Sequence, residues 1–201
     1  MPRLSLLIKM WPFRKKQTLE ESGFFQGFTD WHSHILPGVD DGVQTIEEAL
    51  QVLAEYERLG IKDVWLTPHI MEDIPNTTAQ LKGRFAALQQ VYRGSVHLHL
   101  AAEYMLDRQF EMRLQGQDLL PIGVDSNWLL VETSCFNPPV CMESLLREIW
   151  KYGYEPLLAH PERYTYLNSK EDYRNLKSQG VRFQLNLPSL AGAYGPAARE
   201  K

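Results

Sequence analysis

The chain has 201 residues, of which 44% are hydrophobic and 23% are charged. This composition is typical of a globular protein, and it excludes a disordered or collagen-like chain. The length suits one domain and is short for two well-buried ones. Lysine and arginine number 21 against 25 aspartate and glutamate residues, a net charge of −4. No excess of positive charge therefore directs the protein to nucleic acid.

The first 23 residues are predicted to form a flexible N-terminal tail, and residues 24–201 the folded domain. The longest apolar run near the start, Leu4–Ile8, is too short for a membrane span or a signal peptide. Residues 11–16 combine aromatic and cationic side chains that suit an anionic bilayer, but a solvated tail is the simpler interpretation. The two cysteines, Cys135 and Cys141, are too few for a disulfide framework, which predicts a reducing, cytoplasmic setting.

Strands and helices alternate from Phe28 onward. Thr45 and Glu48 have capping-box spacing, and apolar residues follow at helical spacing until Gly60, which predicts the first helix. Three further helices are predicted over residues 79–92, 142–152 and 171–178. Six strands are predicted over residues 28–31, 62–67, 96–102, 128–131, 156–159 and 181–187.

This alternation predicts parallel strands joined by right-handed crossovers, and hence an α/β sheet or barrel. A doubly wound nucleotide-binding sheet would require a glycine-rich fingerprint after its first strand. Gly38 and Gly42 lack the required spacing and are not directly followed by a helix. A barrel-like arrangement is therefore favoured.

An imidazole or a carboxylate follows each of the first five predicted strands. In chain order these residues are His32 and His34, His69, Glu103, Glu132, and His160. The carboxyl ends of parallel strands meet at one face of a barrel, so these side chains are expected to converge there. Mixed nitrogen and oxygen ligands suit zinc, iron or manganese, and the sequence predicts a metal site at this face.

The first of these segments carries additional candidate ligands. His32 and His34 lie two residues apart in extended chain, so both side chains point the same way, and Asp30 shares their parity. Asp40 and Asp41 add carboxylates in the following turn. They are either ligands or ordinary turn residues, and the residues alone leave both interpretations open.

Two other patterns compete with this hypothesis. Cys141 and Arg147 have the C-x5-R spacing of cysteine-dependent tyrosine phosphatases, but the residues between them favour a helix over a phosphate-binding loop. His97 and His99 share strand parity with Glu103 but do not lie at a strand end, so they are interpreted as supporting or packing residues.

Five segments carry a resemblance to a known family. They are Asp30-Trp-His-Ser-His-Ile-Leu-Pro-Gly-Val-Asp-Asp-Gly42, Thr67-Pro-His69, Ala102-Glu103, Val131-Glu132 and Ala159-His-Pro-Glu-Arg-Tyr164. Together they resemble the polymerase-and-histidinol-phosphatase (PHP) superfamily, and within it the bacterial capsule-type tyrosine phosphatases. The resemblance extends over about residues 28–195.

The resemblance implies a distorted seven-stranded β/α barrel, similar to a TIM barrel, with about six of its strands in this chain. It implies a cluster of three divalent ions, with manganese ahead of iron and zinc. The implied ligand sets are His32, His34 and Glu103; Glu103, Glu132 and His160; and Asp41 and His69. Arg163 would bind phosphate, since its planar guanidinium matches phosphate oxygens, and Arg163 and Asp41 are the implied catalytic residues.

The implied substrate is phosphotyrosine in a protein, namely the tyrosine-rich tail of a membrane-associated kinase of capsule or exopolysaccharide assembly. Members of the family also have a seventh strand ending in Asp-x-His, whereas this sequence stops at Lys201. We therefore expect impaired activity and an open sheet edge that another copy of the chain could cover, as a homo-oligomer. The alternatives are a remnant that binds metal or the kinase tail without efficient turnover, and a small-molecule phosphatase of the same superfamily.

Overall fold

The structure is a computed structural model, and it describes residues 18, 20–123 and 127–201. Most of the predicted N-terminal tail lies outside these described residues. The described chain is an α/β fold in which eight short strands, all paired in parallel, alternate with seven α-helices. Its α/β class agrees with the sequence prediction.

The longer helices begin and end where their capping residues lie. Helix α1 (Ile46–Leu59) has the predicted capping box of Thr45 and Glu48, and Gly60 ends it with a left-handed φ of 83°. The others are α2 (Thr78–Val91), α3 (Arg108–Gly116), α4 (Met142–Lys151), α5 (Lys170–Ser178), α6 (Leu187–Leu190) and α7 (Pro196–Glu200). The sequence did not predict α3, α6 or α7.

The strands form two sheets. Their bounds are β1 (Thr29–Ser33), β2 (Asp63–Leu66), β3 (His69–Ile70), β4 (His97–Leu100), β5 (Glu103–Met105), β6 (Trp128–Glu132), β7 (Glu155–Ala159) and β8 (Arg182–Gln184). The smaller sheet has the order β1-β2-β4 and the larger one β3-β5-β6-β7-β8. Right-handed α/β crossovers of this kind bring the carboxyl ends of the strands to one side.

Two of the six predicted strands are each followed by a short additional strand, β3 and β5, that was not predicted. The residues at 67–68 separate β2 from β3, and those at 101–102 separate β4 from β5. Backbone hydrogen bonds continue across the breaks, from Ala101 N to Leu66 O (2.9 Å) and from Glu103 N to Pro68 O (3.0 Å). The count of six strands is therefore wrong, but each additional strand continues a predicted one.

Alternating residues of the strands face two apolar layers, because side chains of a strand point to opposite faces. Val64, Leu129 and Leu158 belong to the main core that the strands share with the helices. Their neighbours Trp65 and Leu130 belong to a smaller cluster on the opposite face. A sheet covered on both faces is typical of α/β proteins.

The described strands do not form a closed barrel. Within residues 20–123 and 127–201, β1 and β8 each pair with a strand on one side only. In the same part of the chain, no helix combines the length and the hydropathy that crossing a bilayer requires.

Candidate metal centre

Glu103 lies at the centre of the predicted site. It is the first residue of β5, and its side chain is fully buried. Glu103 Oε2 lies 3.1 Å from His32 Nε2, 3.4 Å from His34 Nε2 and 3.1 Å from His69 Nδ1. Its other oxygen, Oε1, lies 3.0 Å from His160 Nε2. Four histidines from three separate segments of the sequence therefore surround one carboxylate.

The positions of these residues along the strands differ in part from the prediction. His32 lies within β1, because this strand extends two residues beyond its predicted end, and His69 begins β3, a strand that was not predicted. Glu132 is the last residue of β6, and His160 directly follows β7. His160 has a left-handed backbone (φ 33°, ψ 51°), which is uncommon for a residue with a Cβ and is typical of functional sites.

Asp40 holds His34 and the adjacent backbone in place. Asp40 Oδ2 lies 2.8 Å from His34 Nδ1 and accepts the backbone N–H of His69 at 3.1 Å, while Oδ1 accepts that of Gly42 at 3.0 Å. Burial opposes the charged form of His34. Hydrogen bonds to Asp40 and Glu103 outweigh burial and raise the pKa of His34 to about 9.

The electrostatics of the centre favour positive charge. Burial again opposes protonation of His69, but the charged carboxylates of Glu103 and Glu132, 3.1 and 2.9 Å from its Nδ1, outweigh it and raise the pKa of His69 to about 10. Burial alone would raise the pKa of Glu103, yet the surrounding histidines hold it well below its usual range. The buried carboxylates thus stabilise cations placed among them.

Several potential ligand atoms of the centre lie close to one another. His32 Nε2 and His34 Nε2 lie 3.2 Å apart, and His69 Nδ1 lies 2.9 Å from Glu132 Oε1. Despite that short distance, neither His69 Nδ1 nor Glu132 Oε1 has a hydrogen bond of acceptable geometry within the described residues. Buried polar atoms without partners are costly, and shared metal coordination would satisfy them. The residues therefore fit divalent ions.

Three groups of side chains bring their ligand atoms within 4.8 Å of one another. They are His32, His34 and Glu103; His34, Asp41 and His69; and His69, Glu103 and Glu132. The first group has the composition implied by the family resemblance, and the second adds His34 to the implied pair. In the third, His69 stands where the resemblance implies His160, whose Nε2 is 3.6 Å from Glu132 Oε2.

The two predicted catalytic residues lie near the mouth of the centre. The side chain of Asp41 is 79% exposed, and its Oδ1 lies 3.6 Å from His69 Nε2. Arg163 ends a short 3-10 turn (Pro161–Arg163) that begins directly after His160. Its guanidinium carbon lies 4.6 Å from the ring centroid of Tyr194, and in the described part of the chain it forms no ion pair.

Two residues that contribute to the site were not predicted. Gln184, the last residue of β8, lies 2.7 Å from His32 Nδ1 through its Oε1. Glu162 is buried in the 3-10 turn, and its Oε1 accepts Asn186 N–H (3.1 Å) and the Ser189 hydroxyl (2.7 Å). Gln184 lies inside the sixth predicted strand (181–187), and it ends the strand only in the structure, so the strand-end pattern in the sequence could not have found it.

The other candidates belong to none of the three ligand groups. Asp30 accepts the backbone N–H of His32 on Oδ1 (3.3 Å) and the Tyr56 hydroxyl on Oδ2 (2.6 Å), and burial raises its pKa. His97 and His99 both contact Asp63 at the start of β2. They therefore do not support the metal ligands.

The C-x5-R segment is helical, as predicted. Cys141 is the exposed N-cap of α4, and Arg147 pairs with Glu143 within this helix. Neither residue lies in a phosphate-binding loop.

Comparison with known proteins agrees with the resemblance in the motifs. The profile of the family described as capsular polysaccharide synthesis, CpsB/CapC, matches residues 28–201. The chain is 27% identical over 176 residues to the putative tyrosine-protein phosphatase CapC of Staphylococcus aureus, covering 85% of this chain and 69% of CapC. It is 28% identical over 171 residues to the tyrosine-protein phosphatase YwqE of Bacillus subtilis, covering 83% and 67%.

A solved structure has a similar fold. It comes from the crystal structures of YwqE from Bacillus subtilis and CpsB from Streptococcus pneumoniae, described as unique metal-dependent tyrosine phosphatases. The TM-score is 0.75 at 25% identity, over 86% of this chain and 72% of the matched one. The chain thus spans about two thirds to three quarters of the length of these relatives. Since the profile matches nearly all of the described residues, the chain belongs to the CpsB/CapC family of capsular polysaccharide synthesis.

Proposed function

We propose that the protein is a metal-dependent phosphatase that hydrolyses phosphotyrosine in proteins. The observation that carries this proposal is the convergence of four histidines on the buried carboxylate of Glu103, with acceptor atoms facing one another. The names of the relatives support the same activity. They favour it over the alternative of a remnant without turnover.

We propose that the centre holds divalent ions, with manganese ahead of iron and zinc. Its donors combine carboxylate oxygens with imidazole nitrogens, which suits all three metals. The proposed ligands are His32, His34, Asp41, His69, Glu103, Glu132 and His160. Ions held by these residues would supply a hydroxide at neutral pH and stabilise charge on the phosphoryl oxygens.

Arg163 is the proposed phosphate-binding residue. It ends the 3-10 turn that begins directly after His160, and Tyr194 packs against its guanidinium, which supports this role. A guanidinium presents two parallel N–H donors to phosphate oxygens and carries its charge at any working pH. Asp41 is the second proposed catalytic residue, and its exposed side chain, 3.6 Å from His69 Nε2, can contact an entering substrate.

Exposed apolar side chains near the carboxyl ends of the strands suit an aromatic phosphoester. Phe136, four residues after β6, is 73% exposed, and Leu185, directly after β8, is 63% exposed. Tyr194 adds a second aromatic ring next to Arg163. We propose that the substrate is the tyrosine-rich tail of a membrane-associated kinase of capsule or exopolysaccharide assembly.

Two further aspects belong to this proposal. We propose that the two sheets form a distorted β/α barrel of the PHP type, because hydrogen bonds continue across the breaks that separate them. We also propose a cytoplasmic location, since Cys135 and Cys141 are both free thiols, as expected in a reducing compartment.

Release of phosphate from a phosphotyrosine peptide tests the function, with Arg163→Ala as the variant. Arg163→Ala should raise KM for the peptide roughly 10- to 100-fold, because a charge-assisted contact is worth about 1.5–3 kcal/mol. The matched control is Arg182→Ala, since Arg182 also packs on an aromatic ring, with its guanidinium carbon 5.0 Å from the Trp128 ring centroid. This control should leave KM unchanged.

The alternatives predict different outcomes. A remnant would bind metal and the peptide without releasing phosphate. A small-molecule phosphatase would hydrolyse small phosphate esters far faster than the peptide. Either result would overturn the proposed function.

A further inference from the structure

Gln184 connects an edge strand of one sheet to an edge strand of the other. It ends β8, yet its Oε1 lies 2.7 Å from Nδ1 of His32 in β1. The same oxygen accepts the backbone N–H of His160 at 3.3 Å. Within the described residues β1 and β8 are not paired through their backbones, so this side chain links them where backbone pairing does not.

Two neighbouring groups determine the orientation of the Gln184 amide, because one of them can only accept a hydrogen bond and the other can only donate one. The carbonyl of Leu185 can only accept, and it lies 2.9 Å from Gln184 Nε2. The backbone N–H of His160 can only donate, and it points at Oε1. Nε2 also donates to Asn186 Oδ1 at 3.0 Å. The amide oxygen must therefore face His32.

This orientation determines which nitrogen of His32 carries the proton. An oxygen that accepts at 2.7 Å requires N–H at Nδ1. In the neutral ring, Nε2 then keeps its lone pair, directed at Glu103 Oε2 (3.1 Å) and His34 Nε2 (3.2 Å). Asp40 acts in the same way on His34, by accepting from its Nδ1 at 2.8 Å.

We propose that Gln184 is a positioning residue that fixes His32 as the Nδ1–H tautomer and aims its Nε2 at the metal centre. This inference rests on the proposed function, because it assigns a role toward the proposed metal ions. A hydrogen bond to the remote nitrogen of a ligating histidine fixes the orientation of the ring and raises its basicity. Gln184 does so without adding negative charge to a centre that already contains Glu103 and Glu132.

Two substitutions separate this role from a purely structural one. Gln184→Ala removes both the acceptor for His32 and the donors that hold Leu185 and Asn186. Gln184→Glu keeps the acceptor and removes the donors. If Gln184 orients His32, the Glu variant should bind Zn²⁺ as tightly as wild type. If Gln184 only holds the end of β8, the Glu variant should lose Zn²⁺ affinity as the Ala variant does.

The measurements are Zn²⁺ affinity, by competition with a chelator, and the ring ¹⁵N signals of His32. Gln184→Ala should weaken Zn²⁺ binding roughly 10- to 100-fold, the usual effect of losing such a partner. Gln184→Glu should retain the affinity. The matched control is Gln44→Ala, because the Gln44 amide donates to Asp40 O (2.8 Å) and Gly42 O (2.7 Å) and, in the part of the chain that the structure describes, to no histidine ring. This control should also retain the affinity.

The two proposals fail in different ways. If wild type binds no metal, the proposed function is wrong, while the ¹⁵N signals still report the tautomer of His32. If wild type binds Zn²⁺ and Gln184→Ala binds it equally well, only the role of Gln184 is wrong. A wild-type His32 protonated on Nε2 would also overturn that role, as would a loss in Gln44→Ala equal to that in Gln184→Ala.

Discussion

The protein contains two clusters of histidines and carboxylates, and they differ in how their polar atoms are satisfied. In the candidate metal centre, four histidines contact the fully buried Glu103. In the second cluster, His97 and His99 contact Asp63, at 3.4 and 2.8 Å. The side chain of His97 is 73% exposed and that of Asp63 is 32% exposed, so water reaches this pair.

The second cluster needs no ion. One carboxylate accepts from each imidazole, and the partners lower the pKa of Asp63 as in an ordinary exposed ion pair. In the metal centre His69 Nδ1 and Glu132 Oε1 are buried without a hydrogen bond in the described part of the chain, and burial keeps water from them. Burial together with unsatisfied polar atoms, more than the number of histidines, thus marks a candidate metal site.

The largest expected effect comes from Glu103→Gln. The variant keeps the shape of the side chain and removes the charge that four histidines face. We expect metal content to fall to background, and kcat/KM for a phosphotyrosine peptide to fall roughly 100- to 1000-fold. The matched control is Asp63→Asn, which removes the corresponding carboxylate of the second cluster. Elemental analysis and phosphate release measure the two effects, and full metal content in Glu103→Gln would contradict the role of Glu103.

A smaller effect is expected from Glu162→Ala. The Glu162 carboxylate is 5% exposed and accepts the Asn186 N–H and the Ser189 hydroxyl, which ties the 3-10 turn to the segment after β8. Its loss leaves two donors without their acceptor, and we expect the free energy of unfolding to fall by about 1–3 kcal/mol.

Denaturant unfolding measures the effect of Glu162→Ala. The control is Glu171→Ala, because Glu171 is 66% exposed and, among the described residues, pairs only with Arg174 in the same helix. Glu171→Ala should change the free energy of unfolding by less than about 0.5 kcal/mol. Equal losses in the two variants would show that Glu162 does not anchor the turn.

Local signals in the sequence predicted much of the fold. The capping box at Thr45 and the glycine at position 60 act within one turn of helix, so the bounds of α1 were readable from the chain alone. The existence of β3 was not readable in this way. The two-residue strand β3 exists because His69 and Ile70 pair with β5, and pairing between distant segments leaves no local pattern.

The site was predictable for a related reason. Convergence of strand ends follows from a parallel topology, so the positions of Glu103 and His160 were expected once the strands had been assigned. The roles of Gln184 and Glu162 depend on hydrogen bonds between segments more than 20 residues apart. Neither an amide nor a single glutamate is unusual in a sequence, and only the structure shows which groups they face.

The smallest expected effect comes from replacing both His97 and His99 with alanine. These residues share a strand with each other and parity with Glu103, so the sequence left open a supporting role near the metals. The structure places them with Asp63 at the start of β2, and the ring of His99 stacks on Trp65 with centroids 4.7 Å apart.

Exposed ion pairs contribute little, so the double variant should change the free energy of unfolding by about 1 kcal/mol or less. Metal content and phosphate release should equal those of wild type. Lower metal content in a variant of unchanged stability would mean that the second cluster also binds an ion. In that case, burial and unsatisfied polar atoms would not distinguish the two clusters.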